Sequence, residues 1–184
     1  MDKLIARMRG HMEKSIEAME RDFGTVRTGR ASPALLEHVT VDYYGTAMPI
    51  NQVATISVPE ARMMIIAPWD KTMVNKIQNA IMTSDLGLTP SSDGNVIRLT
   101  IPQLTEERRK EMGKLVGKKA EEGRVAIRNI RRETLEELKR MEKREGLRED
   151  EVHLGEEEIQ EIHDKFIRRV DELKDAKIKE LMEV

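Results

Sequence analysis

No cysteine occurs in this chain. Disulfides, thiolate metal sites and a cysteine nucleophile are therefore excluded, and the composition fits a reducing compartment. Aromatic residues are nearly as scarce, at 3% with one Trp, two Tyr and two Phe. That leaves little for a wide core built on large rings or for a set of base-stacking platforms. No apolar run approaches the roughly 20 residues needed to span a bilayer. The opening stretch MDKLIARMRGHMEK is charged from its second residue and lacks the apolar run of a signal peptide. A cytoplasmic protein is expected. Neither GxxxxGK[ST] nor GxGxxG occurs, and Leu86-Gly87-Leu88 offers a single glycine between two leucines. Net charge is also lacking, at −2, so any electrostatic signal must lie in how charge is distributed.

What the chain has is charge of both signs, 36% of its 184 residues. With so few aromatics, this suits long helices that share a narrow apolar seam and carry charge outside. Residues 2–27 read as one such helix. Ile5, Met12, Met19 and Val26 recur every seven residues, with Met8, Ile16 and Phe23 beside them. Gly29 and Ser32-Pro33 end it.

Between Ala34 and Ile101 the texture changes. Val39–Tyr43, Ala54–Val58, Met63–Ala67 and Val96–Ile101 are β-branched or alternating and read as strands. Lys71–Ser84 reads as a helix with Asp70 as its N-cap and Met73, Ile77 and Ile81 on its apolar side. All six prolines bound this stretch or lie inside it. From Thr105 helical texture returns and runs to about Gly146, with Val116, Ala120, Ile127, Ile130, Thr134, Leu138 and Met141 along the seam. About 40 residues at 1.5 Å rise make a rod of roughly 60 Å. A polar connection over Gly146–Gly155 leads to a last helix over about 156–182, striped by Ile159, Ile162, Phe166, Val170, Leu173 and Leu181.

The expected fold is α+β. Residues 1–30 and 105–184 form a three-helix bundle, and 31–104 form a small β/α/β domain inserted after the first helix. The chain crosses between the two near Arg30, Ala31, Ser32 and Pro33, and near Pro102, Gln103, Leu104 and Thr105. Those two crossings make either a hinge or a rigid junction.

The clearest chemical signal is a charge asymmetry. Residues 108–132 hold ten Lys or Arg against three acids, whereas 133–164 hold five bases against thirteen acids. Within the basic run, Arg124, Arg128 and Arg131 fall within about 60° of helical arc, with Arg132 just beyond. Planar guanidinium groups grip phosphate oxygens with two parallel hydrogen bonds, which suits reading an RNA backbone. The plainer alternative is a solvated face paired to glutamates. No acid lies between Gly123 and Arg132 to supply such a pair locally. Tyr43, Tyr44 and Trp69 are expected to pack rather than to stack on bases. His11, His38, His153 and His163 lack metal-site spacing and read as ordinary surface or interface residues. Glu156–Glu158 read as acids at a helix start. No constellation supports catalysis, so no enzyme, no metal and no cofactor is expected.

Several stretches together resemble the ribosome recycling factor family: VRTGRASPALL (26–36), VDYYGTAMPINQ (41–52), SDLGLTP (84–90), IPQLTEERRKEM (101–112) and EEGRVAIRNIRRE (121–133). The match spans essentially the whole chain and is thinnest in the last helix. Thr89 stands where the family more often has asparagine, and Ala47-Met48 lies in a variable part of a turn. The resemblance implies an L-shaped pair of domains joined by a hinge at 30–33 and 102–105. It also implies disassembly of the post-termination ribosome together with elongation factor G and GTP, freeing ribosomes from mRNA. The partners would be a 70S-type ribosome, through large-subunit rRNA at the subunit interface, and elongation factor G, with the protein itself a monomer. Arg109, Arg128 and Arg131 match positions the family uses for rRNA, and helical geometry adds Arg124 and Arg132. The competing expectation is a non-ribosomal helical scaffold, because an apolar seam serves an intermolecular coiled coil equally well.

Overall fold

The computed structural model describes residues 1–183, which divide into two compact units. The first comprises residues 1–26 with 109–183, and the second residues 27–108.

The first unit holds three helices: α1 (Asp2–Gly24), most of α3 (Glu106–Glu145) and α4 (Glu149–Met182). Every member of the heptad stripe in α1, from Ile5 to Phe23, is buried, and Val26 remains buried beyond the helix end. Leu4, Ile5, Met8 and Met12 pack with Ile127 and Leu138 of α3 and with Val152, Ile159 and Ile162 of α4. Each such side chain contributes about 1.5–3 kcal/mol by leaving water. Flexible methionines fill the irregular gaps that the missing rings leave. The Thr105 hydroxyl accepts from the Arg108 N–H at 3.2 Å, and Glu106 and Glu107 sit at the positive end of α3.

Helix α4 starts seven residues earlier than the sequence suggests. The connection is only 146–148, and Gly155 is a buried helical residue rather than a loop residue. The reason is a capping arrangement: the Glu151 carboxylate accepts from the Arg148 backbone N–H at 2.9 Å. Glu149, Asp150 and Glu151 occupy the first turn, so they, and not Glu156–Glu158, meet the helix dipole.

The second unit holds an antiparallel hairpin, β1 (Thr40–Tyr43) with β2 (Thr46–Pro49), and a four-stranded antiparallel sheet. That sheet consists of β3 (Ala54–Glu60), β4 (Met63–Pro68), β5 (Ser91–Ser92) and β6 (Ile97–Thr100), in the order β3-β4-β6-β5. Helix α2 (Val74–Thr83) follows β4. Ile50, Met64, Ile66, Ile77, Ile81, Ile97 and Leu99 form a core that is fully buried. Asp70 caps the turn as expected, accepting from the Thr72 N–H at 2.9 Å, but the first turn, Lys71–Met73, is 3-10 in geometry. Strands β2 and β5 escape a reading by hydropathy because neither alternates: β5 is two serines, and β2 is Thr-Ala-Met-Pro. What makes β2 is the turn before it. Tyr44 and Gly45 both take positive φ, 50° and 86°, as a two-residue hairpin turn demands.

Candidate functional site

The basic half of α3 lies on the first unit, apart from Arg108 and the residues before it. Its arginines are not equivalent. Arg124 is the most enclosed, with its side chain 21% exposed. Its Nε and Nη2 both donate to Asp171 Oδ1 of α4, at 3.0 and 2.6 Å, and its Nη1 donates to Glu121 Oε2 at 2.8 Å. The hydrogen bonding to Asp171 holds the Arg124 pKa above the ordinary arginine value, against some desolvation. Arg128 is exposed. Its Nη2 donates to the other oxygen of Glu121, and its Nε reaches the Arg124 carbonyl at 3.3 Å. The two arginines, Arg124 foremost, hold the Glu121 carboxyl below its ordinary pKa. Arg131 is half-buried and donates from Nη1 to Gln160 Oε1 of α4 at 2.8 Å. Arg132 is exposed and Arg109 half-buried, and neither side chain has a polar partner among the described residues.

The missing local acids, which the sequence reading weighed in favour of free arginines, are thus supplied from elsewhere. Glu121 reaches forward one and two turns, and Asp171 comes from another helix. The spacing of Glu121 and Arg124 (three residues) was a signal available in the sequence. Asp171 and Gln160 left none, being 47 and 29 positions from their arginines.

A family model described as Ribosome recycling factor matches residues 19–182. The chain is 52% identical over 182 residues to the ribosome-recycling factor of Desulforamulus reducens, covering 99% of this chain and 98% of the other. The chain belongs to the ribosome recycling factor family. It is also 50% identical to the ribosome-recycling factor of Bacillus subtilis over 182 residues, at the same coverage of 99% and 98%. A solution structure of the ribosome recycling factor superposes with a TM-score of 0.78 at 43% identity, covering 100% of this chain and 97% of the other. A second structure contains the T. thermophilus recycling factor and E. coli elongation factor G bound to the E. coli post-termination complex. It matches with a TM-score of 0.71 at 48% identity, covering 99% and 98% of the two chains.

Within this family member, the residues expected at the hinge all lie in the second unit, and the chain passes between units at 26–27 and 108–109. Some of them, and Ile101 beside them, are hydrogen-bonded within the second unit. The Ala31 N–H donates to the Ala61 carbonyl at 2.8 Å, and Ile101 N–H to the Arg62 carbonyl at 2.8 Å. The Ser32 hydroxyl accepts from the Ala34 N–H at 3.3 Å and caps the 3-10 turn at Pro33–Leu36. Gly29, at φ 81°, lies against Leu104, and Pro102 and Gln103 are exposed.

Two aromatics are largely exposed, although the Tyr44 ring packs edge-on against Tyr43 at 4.8 Å. Tyr44 is 73% and Trp69 68% exposed, whereas Tyr43 is half-buried. Tyr44 belongs to the hairpin turn and not to a strand, so strand alternation does not govern it. Its hydroxyl donates to Asp70 Oδ2 at 3.0 Å, and Trp69 Nε1 donates to Thr55 Oγ1 at 2.8 Å. His163 is buried, with Nδ1 2.9 Å from Asp164 Oδ1, while His11, His38 and His153 are exposed. No cluster of three or more metal-ligating side chains, and no helix long and apolar enough to cross a membrane, occurs among the described residues.

Proposed function

We propose that this chain disassembles the post-termination ribosome together with elongation factor G, in a step driven by GTP hydrolysis on that factor, and so frees ribosomes for another round. It works in the cytoplasm and catalyses no reaction of its own. The observation that carries this reading is the family match across nearly the whole chain, at about half identity and equal length with recycling factors. The partner is suggested by the related factor bound beside elongation factor G.

In this reading the first unit is the ribosome anchor. Arg109, Arg128, Arg131 and Arg132 of α3 meet phosphates of large-subunit rRNA. A long helix suits this, since it presents the cations at fixed spacing along a backbone. Each phosphate neutralised releases counterions, so affinity falls steeply with salt. The second unit is the part that elongation factor G displaces, and residues 30–33 and 102–105 serve as the hinge.

The test is sedimentation of polysomes treated with puromycin. Conversion to single ribosomes is expected when this protein, elongation factor G and GTP are present together, and not with either protein alone. If a cognate elongation factor G leaves polysomes intact although the protein binds them, the recycling activity is wrong, and a scaffold function takes its place. For the anchor, the double substitution Arg128→Ala and Arg131→Ala should weaken ribosome binding and reduce the slope of log affinity against log salt concentration by about one per arginine lost. An unchanged slope would remove these residues from the interface.

A further inference from the structure

The four-residue chain Asp171–Arg124–Glu121–Arg128 has a directional build. A guanidinium carries five N–H donors on three nitrogens. Arg124 commits all three nitrogens internally: two to Asp171 and one to Glu121. Its side chain is the least exposed of the linked group, at 21%. Three of its five N–H groups are spent in this way, which leaves only one proton on each terminal nitrogen of a largely enclosed side chain. Glu121 also spends both oxygens, one on each arginine. Arg128 differs. Its inner edge, Nε and Nη2, is held by the Arg124 carbonyl and by Glu121. Its outer edge, Nη1 with the remaining proton of Nη2, has no partner among the described residues, and the side chain is 45% exposed.

We infer that Glu121 is a positioning residue for rRNA binding, held by Arg124 and Asp171, and that it aims the outer edge of the Arg128 guanidinium at a phosphate. Arg124, which helical geometry alone places among the phosphate readers, then acts through Glu121. This rests on the anchor reading above and adds a residue of the opposite sign to it. An acid beside a phosphate site opposes binding by simple Coulomb repulsion, so its presence needs a reason. The reason is entropy: an arginine fixed beforehand loses fewer rotamers when it forms a two-pronged bond with phosphate. A relay anchored on a second helix fixes that direction more firmly than one pair along the same helix would.

Repulsion and positioning predict opposite signs, which makes the test sharp. Glu121→Gln keeps size and shape while removing the charge. Equilibrium binding of the full-length protein to vacant 70S ribosomes of Bacillus subtilis would be measured for wild type, Glu121→Gln, Arg128→Ala and the double variant, at several salt concentrations, with thermal melts as a check on folding. The expected result is about three- to tenfold weaker binding for Glu121→Gln. In the Arg128→Ala background the same change should have no further weakening effect, because it acts through Arg128. Unchanged or tighter binding for Glu121→Gln overturns the inference and leaves the anchor reading standing. An equal loss in both backgrounds also overturns it, showing that Glu121 acts without Arg128. If Arg128→Ala itself binds normally, the anchor reading fails for this residue and the inference fails with it.

Discussion

At the scale of single residues, placement matters more than residue type. Arg124, Arg128, Arg131 and Arg132 look alike in the sequence, but one is bound on all three of its nitrogens, one is held on one edge, one is tied to Gln160, and one is exposed with no partner among the described residues. An exposed ion pair such as Arg128–Glu121 adds little to stability, so its value lies in geometry. Asp70 shows the same economy in the second unit. Its carboxylate accepts from the Thr72 hydroxyl and N–H and from the Tyr44 hydroxyl, and these bonds, those from Thr72 foremost, hold its pKa below the ordinary value of 3.8. A depressed folded-state pKa stabilises the fold above the unfolded value and loses that effect as pH falls through the folded one. Asp70→Asn retains a good capping side chain but does not ionise. The wild type should therefore melt higher than this variant at neutral pH, with the gap closing in melts run well below 3.8. A gap that is constant with pH would mean that the charge of Asp70 is not what its partners hold.

At the scale of elements, the long helices carry glycines with different burdens. A β-carbon added at Gly10 of α1 or Gly117 of α3 would meet nothing within 4 Å. Glycine in a helix interior costs about 0.5–1 kcal/mol relative to alanine. Gly10→Ala and Gly117→Ala should each raise stability by about that amount in denaturant unfolding. Gly155 of α4 is the contrast, since a β-carbon there would lie 3.1 Å from Leu138 Cδ2 and 2.9 Å from Met1 Sδ. Gly155→Ala should lower stability. If it stabilised as the other two do, the tight approach at that position would be disproved.

At the scale of the whole molecule, two units with separate cores are joined by two short crossings. Units joined in this way move relative to each other unless a large apolar interface binds them. The proposed hinge can be tested directly because the chain has no native cysteine to interfere with labelling. Lys14 on α1 and Met82 on α2 are both exposed, one in each unit. With Lys14→Cys and Met82→Cys carrying a fluorophore pair, single-molecule energy transfer on the free protein should report more than one distance. A single narrow distance that persists when elongation factor G acts on the ribosome-bound protein would remove the hinge from the mechanism.

Local patterning was enough for the α+β class, the heptad stripe of α1, the seam of α3 from Val116 to Leu138, the cap at Asp70 and the family. Those features are written in local periodicity, in side chains that bond neighbours two or three positions away, or in motifs read directly. The tertiary structure alone decided the start of α4, the β1–β2 hairpin and the exposure of Tyr44 and Trp69. It also decided which arginines face outward with an edge to offer. Each depends on a partner or a backbone angle that hydropathy does not encode: a carboxylate satisfying a backbone N–H at Arg148, a left-handed pair at Tyr44-Gly45, and an aspartate 47 positions away that turns Arg124 inward. A charge run records how many cations a helix carries, and only the packing of the neighbouring helix determines which of them remain available.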